Sequence, residues 1–344
     1  LASVGHVRDL PSKNPKGVKD PVPGVKIEKR FQPSYEILKG KEQVMKDLKN
    51  AAKDAIASGG TVWFATDLDR EGEAISWHLL ELLTERNAMK NKTVERVVFH
   101  EITERAVREA VAHPRQVATD LVNAQQARRA LDYLVGFNLS PLLWRKVAPG
   151  LSAGRVQSPA LRLICEREEE IKAFIPREYW TLLAAADKGG SAFTAKLIEL
   201  DGQKVEQFTV TEGPAATAAR DRLLKSAAGQ LTVGTVDKKQ RRRNPSPPFT
   251  TSTLQQEAAR KLGFAASHTM RCAQKLYEAG AITYMRTDGV QMDGSAISAA
   301  RCAIADRYDG HYLPEKPRFY STKAKNAQEA HEAIRPTDFS RDRA

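Results

Sequence analysis

Apolar positions change period several times along the chain, and each change marks an expected element. Residues 11–33 (PSKNPKGVKDPVPGVKIEKRFQP) show little periodicity and much Pro, Lys and Gly, which predicts a loop. From about Lys41 to Ile56, residues Val44, Leu48, Ala51, Ala52 and Ala55 recur at helical spacing and predict one amphipathic helix. The β-rich run TVWFAT (61–66) predicts a buried strand, and REGEAISWHLLELLTE behind it a helix. VERVVFHEI repeats the strand pattern, and TERAVREAVAHP the helical one, ending before Pro114. Strand and helix in alternation imply an α/β unit with a largely parallel sheet. From about Asp120 to Glu170 the pattern is helical, with a break at APGLSAGRVQSP. The next stretch, REYWTLLAAADKGGSAFTAKLIELDGQKVEQFTV, alternates around Gly-containing turns and predicts a β-containing region. A basic, then proline-rich linker (KKQRRRNPSPP) leads into a helical block from Ser252 to Ala279. Ser252 is the expected cap there, with Gln255 completing a capping box. A short strand, AITYMRTD, follows. No internal repeat is present.

Composition narrows the classes. At 344 residues and 41% hydrophobic content, the chain can bury several cores. The net charge of +12, with both signs abundant, suits a globular protein with a polyanionic partner such as nucleic acid. No run of about 18 apolar residues occurs, so no membrane span is expected. Cys165, Cys272 and Cys302 stand far apart without a C-x-x-C pair. That argues against a zinc ribbon or a disulfide framework and for reduced thiols packed in helices, as in a cytoplasmic protein. The opening LASVGHVRDLP has no signal-like segment and reads as the inside of a domain, so further chain is expected before Leu1.

Two local patterns carry chemistry. In ATDLDREGEAI, Asp67 and Asp69 follow the expected strand and Glu71 opens the expected helix. Ligands of open α/β sheets gather at the carboxyl ends of strands. Three carboxylates crowded there repel unless a cation joins them, and Mg²⁺ suits hard oxygen donors and leaves waters for phosphate oxygens to replace. The bland alternative is an acidic turn capping a helix. In YEAGAITYMRTDG, Tyr284 and Arg286 lie two apart on the expected strand, so both point to one face. A phenol with pKa of about 10 is a weak nucleophile at neutral pH. The neighbouring guanidinium is expected to favour the phenolate and to clamp a phosphodiester.

The first pattern resembles the Toprim domain of topoisomerases, bacterial primases and some nucleases. The segments VNAQQARRALDYLVGFNLSPLLW, GLSAGRVQSPALRLICERE, PFTTSTLQQEAARKLGF, TMRCAQKLYEAGAITYMRTDG and NAQEAHEAIRPTD resemble the type IA topoisomerases, nearest to the bacterial topoisomerase I group. The likeness runs from Ser3 to Asp338.

That resemblance implies a multidomain α/β and α fold. It divides into a Toprim (Rossmann-like) domain over 1–117, a helical DNA-groove domain over 118–175, part of a β-rich hinge over 176–243, and a winged-helix-like tyrosine domain over 244–344. The implied activity is ATP-independent relaxation of negatively supercoiled DNA by a monomer in the cytoplasm, at the nucleoid. One strand is cut through a 5′-phosphotyrosyl link, the other passes, and the break is sealed. Tyr284 would attack and Arg286 would stabilise the phosphate, with Asp288 orienting Arg286. Asp67 and Asp69 would hold Mg²⁺, with Glu71 adjacent or acting through water. DNA contacts fall on His6, Arg128, Arg129, Asp132, Phe137 (stacking on a base), Ser152, Ala153, Gly154, Arg155, Val156, Gln157, His331 and Arg335. His331 would serve as phosphate contact or proton relay. Tyr133 stands where relatives carry a basic residue, and Trp144 is expected in the core. The family pattern adds a glutamate on an earlier VESP-type strand and a gate arch beyond TD. The present chain is therefore expected to expose apolar surface that those parts cover. Competing readings are a winged-helix regulator, a Toprim primase or nuclease, a topoisomerase III-like decatenase, and an inactive fragment that binds single-stranded DNA.

Overall fold

The computed structural model describes residues 5–14, 16–85, 94–241, 243–308, 310–321 and 332–341. The chain divides into two compact units, one of residues 1–155 with 245–344 and one of residues 156–244.

The first unit starts with short strands: β1 (Arg8–Asp9), β2 (Val25–Lys26), β3 (Gln32–Pro33) and β4 (Glu36–Ile37). Pairing is antiparallel for β1 with β4 and for β2 with β3, so the expected loop 11–33 contains a hairpin. Helix α1 (Glu42–Ala57) buries Met45 and Ala52. Strand β5 (Trp63–Phe64) precedes α2 (Arg70–Glu85), which covers the residues read as a helix from the sequence. Strand β6 (Glu95–Arg96) pairs with β5 in parallel. Both strands are two residues long, so the alternating pattern yields a narrow parallel ribbon. Within β5, Phe64 turns into the core while Trp63 stays 45% exposed, its indole N–H donating to Glu95 Oε2 at 3.0 Å. Helix α3 (Glu104–Ala112) is capped by Thr103, whose hydroxyl accepts from Ala106 N. Helix α4 (Thr119–Lys146) packs against α2 and ends at the expected break. Val7, Met45, Ala52, Phe64, Leu79, Leu82, Leu83 and Val94 form the core of this part.

The second unit contains α5 (Gln157–Ala173), the hairpin β7 (Leu183–Lys188) with β8 (Ser191–Lys196), the hairpin β9 (Glu199–Leu200) with β10 (Gln203–Lys204), and α6 (Gly213–Ala227). Both hairpins turn on two residues with positive φ, Gly189–Gly190 and Asp201–Gly202, the conformation that matches strand twist. Helix α6 was not assigned from sequence. Few side chains of this unit are buried, and Phe174, Ile175, Ile198 and Val233 are exposed, in line with the expected uncovered apolar surface.

The chain then returns to the first unit as α7 (Thr251–Leu262), α8 (Ala266–Glu278) and α9 (Gly294–Arg307). The cap of α7 is Thr250 and not Ser252. Thr250 accepts from Thr253 N, and the Thr253 hydroxyl accepts from Thr250 N, closing a capping box two residues earlier than expected. The expected strand AITYMRTD is no strand among the described residues. It pairs by one isolated bridge, Ile282 to Pro336, so no wing strand follows the helix–turn–helix among the described residues. Two further expectations differ. Trp144 is 48% exposed, its N–H reaching over to Leu151 O. The cysteines do sit on helices, yet Cys165 and Cys302 are exposed and Cys272 half-exposed.

One buried network fixes the ribbon to its surroundings. Arg96 and Glu73 are both fully buried and pair at 3.1 Å. The Arg96 guanidinium also donates to the carbonyls of Phe64, Thr66, Asp67 and Val97. Glu73 accepts further from Arg115 (2.8 and 2.9 Å) and from Ala118 N (2.6 Å). Burial raises the Glu73 pKa, but the hydrogen bonds from Arg115 and Ala118 and the charge of Arg96 outweigh it, and the net shift is below the ordinary 4.5. Glu73→Gln leaves the buried guanidinium unneutralised and should cost about 3–5 kcal/mol at neutral pH, measured by denaturant unfolding. Because the folded-state pKa is depressed, this stabilisation is present above the unfolded value and is lost as pH falls through the folded one. The gap between parent and variant should therefore narrow in acid; a gap that widens there would contradict the assignment.

Candidate active site

The acidic loop between β5 and α2 is held from below by Arg96 and closed from above by Gly72. A Cβ on Gly72 would lie 2.0 Å from Asp67 O, so only glycine fits this approach. Asp69 does two things. Its Oδ1 accepts from Gly72 N at 2.9 Å, capping α2, while its Oδ2 faces the other way. Leu68, between the two aspartates, is buried among Ala273, Tyr277, Tyr284, Met285 and Ile334. That apolar cluster joins the loop to α8 and to the segment after it that carries the tyrosine.

Tyr284 lies on the irregular segment after α8. The segment is tied on three sides: Tyr284 N donates to His100 O at 2.9 Å, Thr283 N to Arg335 O at 2.9 Å, and Thr251 Oγ1 to Met285 O at 2.7 Å. The phenol is 2% exposed and donates to Asp69 Oδ2 at 2.9 Å, across 215 residues of sequence. Arg286 Nη1 stands 3.6 Å from the same oxygen. So Tyr284, Arg286 and Asp69 meet at one point.

Charge at that point differs from expectation in one respect. Burial pushes the Tyr284 phenol well above its ordinary value, the charges of Asp69 and Asp67 and the hydrogen bond to Asp69 add to this, and Arg286 opposes it more weakly. In this arrangement the phenol is a neutral donor; the activation expected from Arg286 is outweighed. Asp67 is also raised, first by burial and then by Asp69, against Arg286 and Arg96. No group of three His, Cys, Asp or Glu side chains at metal-binding reach occurs among the described residues. An aspartate pair short of countercharge, at a strand's carboxyl end, still fits a cation that takes one or two carboxylates and fills its shell with water and phosphate oxygens.

Glu71 faces away from this pair. Its Oε2 bonds His6 Nε2 at 3.0 Å and accepts from Gln125 Nε2 at 3.2 Å. The His6 hydrogen bond is the main reason that the Glu71 pKa is lowered. This trio lines a cleft of about 410 Å³ together with Arg8, Asp9, Tyr35, His78, Arg128, Arg129, Asp132 and Arg155. Six residues singled out from sequence thus converge: His6, Glu71, Arg128, Arg129, Asp132 and Arg155. Two of the arginines are held by acids, Arg129 by Asp9 (Nε to Oδ1, 2.8 Å) and Arg155 by Asp132 (2.6 and 3.0 Å), which presents each guanidinium in a set orientation. On the far wall His78, buried beside Arg8, has its pKa lowered to about 3 by burial and by the Arg8 charge. Tyr35 is pushed up to about 12 by burial. The Tyr35 hydroxyl and Gln125 Oε1 are buried without a hydrogen-bond partner among the described residues.

Other expected residues sit elsewhere. Phe137 is partly exposed on α4, its ring 4.6 Å from that of Tyr133. Tyr133 donates its hydroxyl to Pro11 O, so it acts as a tie to the loop. Ala153 N donates to Ser140 Oγ at 3.1 Å; Ser152 and Gly154 share that break, and Val156 and Gln157 begin the second unit. Arg335 is not a surface cation. It is 8% exposed and pairs with Glu332 and with Glu101 Oε2 at 3.1 Å. Asp288 is exposed, and the acid that stands beside Arg286 is Asp69. His331 lies outside the described residues. Sequence reading missed Glu73, Arg96, Arg115 and Gln125. For Glu73 and Arg96 the available signal was a charged residue inside an apolar pattern; Arg115 and Gln125 carried none.

Comparison with known proteins fits this geometry. A family model described as DNA topoisomerase matches residues 116–344, and the Toprim domain model matches residues 1–102. DNA topoisomerase 1 of Xylella fastidiosa (strain Temecula1) is 55% identical over 98% of this chain, and that of Zymomonas mobilis 57% identical over all of it. The chain spans 41% and 27% of the lengths of these two relatives. The full-length topoisomerase I structure from Thermotoga maritima superposes with a TM-score of 0.72 at 38% identity, covering 98% of this chain and 51% of that one. With a Toprim-type acidic loop and a tyrosine converging from distant parts of one polypeptide, the chain belongs to the bacterial type IA DNA topoisomerase family.

Proposed function

We propose that this chain carries the strand-cleaving centre of an enzyme that relaxes negatively supercoiled DNA without ATP. The observation that supports this most directly is the contact between the Tyr284 phenol and Asp69 Oδ2 at 2.9 Å. That distance is within reach of proton transfer. In the proposed step the Tyr284 oxygen attacks a backbone phosphorus and Asp69 takes the phenol proton. The P–O bond to the 3′ oxygen breaks, that oxygen takes a proton from water and leaves as a hydroxyl, and Tyr284 remains on the 5′ phosphate. Arg286 balances charge on the phosphate oxygens. Resealing reverses the sequence, because the aryl ester conserves the energy of the broken bond. Asp67 and Asp69 would hold Mg²⁺, which supplies countercharge for the phosphate when bound. With Tyr284 only 2% exposed, its segment must part from the acidic loop before a phosphate can enter.

The strand is proposed to lie along the cleft. Arg128, Arg129 and Arg155 meet phosphates there; beyond the cleft lining, Phe137 stacks on a base and the small residues Ser152, Ala153 and Gly154 let the backbone come close. Single-stranded segments are the fitting substrate, since a stacking aromatic needs unpaired bases.

Two outcomes are expected. A single-stranded oligonucleotide labelled at its 3′ end should become covalently attached to the chain in denaturing gels. Tyr284→Phe should abolish the adduct, and Asp69→Asn should slow its formation by about 10²-fold or more. An adduct that persists in Tyr284→Phe refutes the assignment. Separately, affinity for single strands should fall steeply with salt, and Arg128→Ala should reduce the slope of log K against log[salt] by about 0.7. Binding indifferent to salt would count against the cleft as a phosphate path.

A further inference from the structure

The hairpin of β2 and β3 remains unused by the reaction above. Its root is fixed: Val22 and Val25 are buried with Leu10 against Ala130 of α4, and Tyr133 and Leu134 pack on the same cluster. That stretch of α4 also carries Arg129 and Asp132 of the cleft. The tip is different in kind. A short 3-10 turn, Ile27–Lys29, is followed by Arg30 at φ 54° and Phe31 at φ 60°, two successive non-glycine residues in the left-handed region. Such a backbone is unfavourable for side-chain-bearing residues and tends to mark places where side-chain placement matters. Phe31 is 52% exposed, and Lys26, Lys29 and Arg30 are exposed around it. None of these three cations has a side-chain hydrogen bond or ion pair among the described residues, and Glu28 is the one acid at the tip. Lys13, Lys16 and Lys19 add to the positive charge of the preceding loop, against Asp20.

An exposed aromatic ring among unneutralised cations is the arrangement that binds single-stranded nucleic acid. Bases stack on the ring while ammonium and guanidinium groups meet phosphates. We propose that the hairpin tip 26–31 is a second contact for single-stranded DNA, outside the cleft, with a base stacked on Phe31 and phosphates on Lys26, Lys29 and Arg30. The shared packing on α4 makes it an extension of the cleft wall. The inference rests on the reading of the cleft as a DNA path.

Binding of labelled oligothymidylate to the whole chain, followed by anisotropy across a salt series, tests it. The triple change Lys26→Ala, Lys29→Ala, Arg30→Ala should lower the salt slope by about 2, for three single-strand phosphate contacts. Phe31→Ala should leave the slope alone and weaken binding by about fivefold to a hundredfold. Arg30→Gly provides a check on folding, because glycine accepts the left-handed backbone: it should melt no lower than the parent yet bind more weakly. Unchanged slope and affinity in the triple variant, with the parent still binding, overturns the hairpin contact alone. Equal losses on duplex of the same length, with no effect of Phe31→Ala, overturn the stacking contact in favour of duplex-backbone binding. Failure of the parent itself to bind oligothymidylate overturns the cleft reading, and the hairpin contact with it.

Discussion

The guanidinium of Arg96 is the constraint on which the rest of the first unit depends. It is fully buried, so each of its N–H groups needs an acceptor, and four backbone carbonyls and Glu73 provide them. Three of those carbonyls belong to β5 and the loop behind it. A two-residue ribbon has too few ladder hydrogen bonds to set the path of that loop. The arginine does so in place of a wider sheet. A buried ion pair of this kind contributes little net stability compared with apolar packing, since desolvation offsets attraction. Its effect here is geometric: it holds the carbonyls of Thr66 and Asp67, and with them the two aspartates that meet the tyrosine.

From that anchor the site assembles by short steps. Gly72 lets α2 begin directly over Asp67, and Asp69 caps the helix with one oxygen. Capping leaves the other oxygen pointing outward, where Tyr284 and Arg286 arrive. The helix-cap reading and the catalytic reading of this acidic turn are therefore compatible, because one carboxylate serves both. Leu68 completes the join by sinking between the aspartates into the cluster around Tyr277 and Met285. Apolar burial thus brings together groups whose charges would otherwise keep water between them.

How much of this was legible beforehand follows from what periodicity can and cannot report. Helices α1, α2 and α3 carry clear apolar faces and were readable, and α4 lay within a stretch read as helical although its apolar residues favour no single face. Helices α6 and α9 are rich in Ala, Ser and Gly, so their burial pattern left little contrast to read. Strands of two residues are too short for alternation to register. Within EGE, spacing alone could not tell Glu71 from Glu73. Two residues on a helix differ by about 200° in direction, and only the packing of α2 on α4 decides which glutamate enters the core and which faces the cleft. Three adjacent hydroxyl residues, Thr250, Thr251 and Ser252, made the cap of α7 ambiguous by the usual one or two positions. Arg335 was expected among the DNA contacts because its motif matches positions near the active tyrosine. Its burial between Glu101 and Glu332 depends on contacts across the chain that no local pattern records.

The covered tyrosine also bears on the proposed chemistry in both directions. A phenol held protonated by burial and by two aspartates is a poor nucleophile, and by the same token its oxygen would be a poor leaving group for resealing. Neither step suits the covered state. Parting the tyrosine segment from the acidic loop admits water and a phosphate, separates the phenol from Asp67, and removes the largest cause of its raised pKa. Arg286, which opposes that rise, lies two residues from Tyr284 and is already half-exposed. On this argument the burial that masks Tyr284 confines reactivity to the open arrangement, so that cleavage is linked to the presence of a strand in the site.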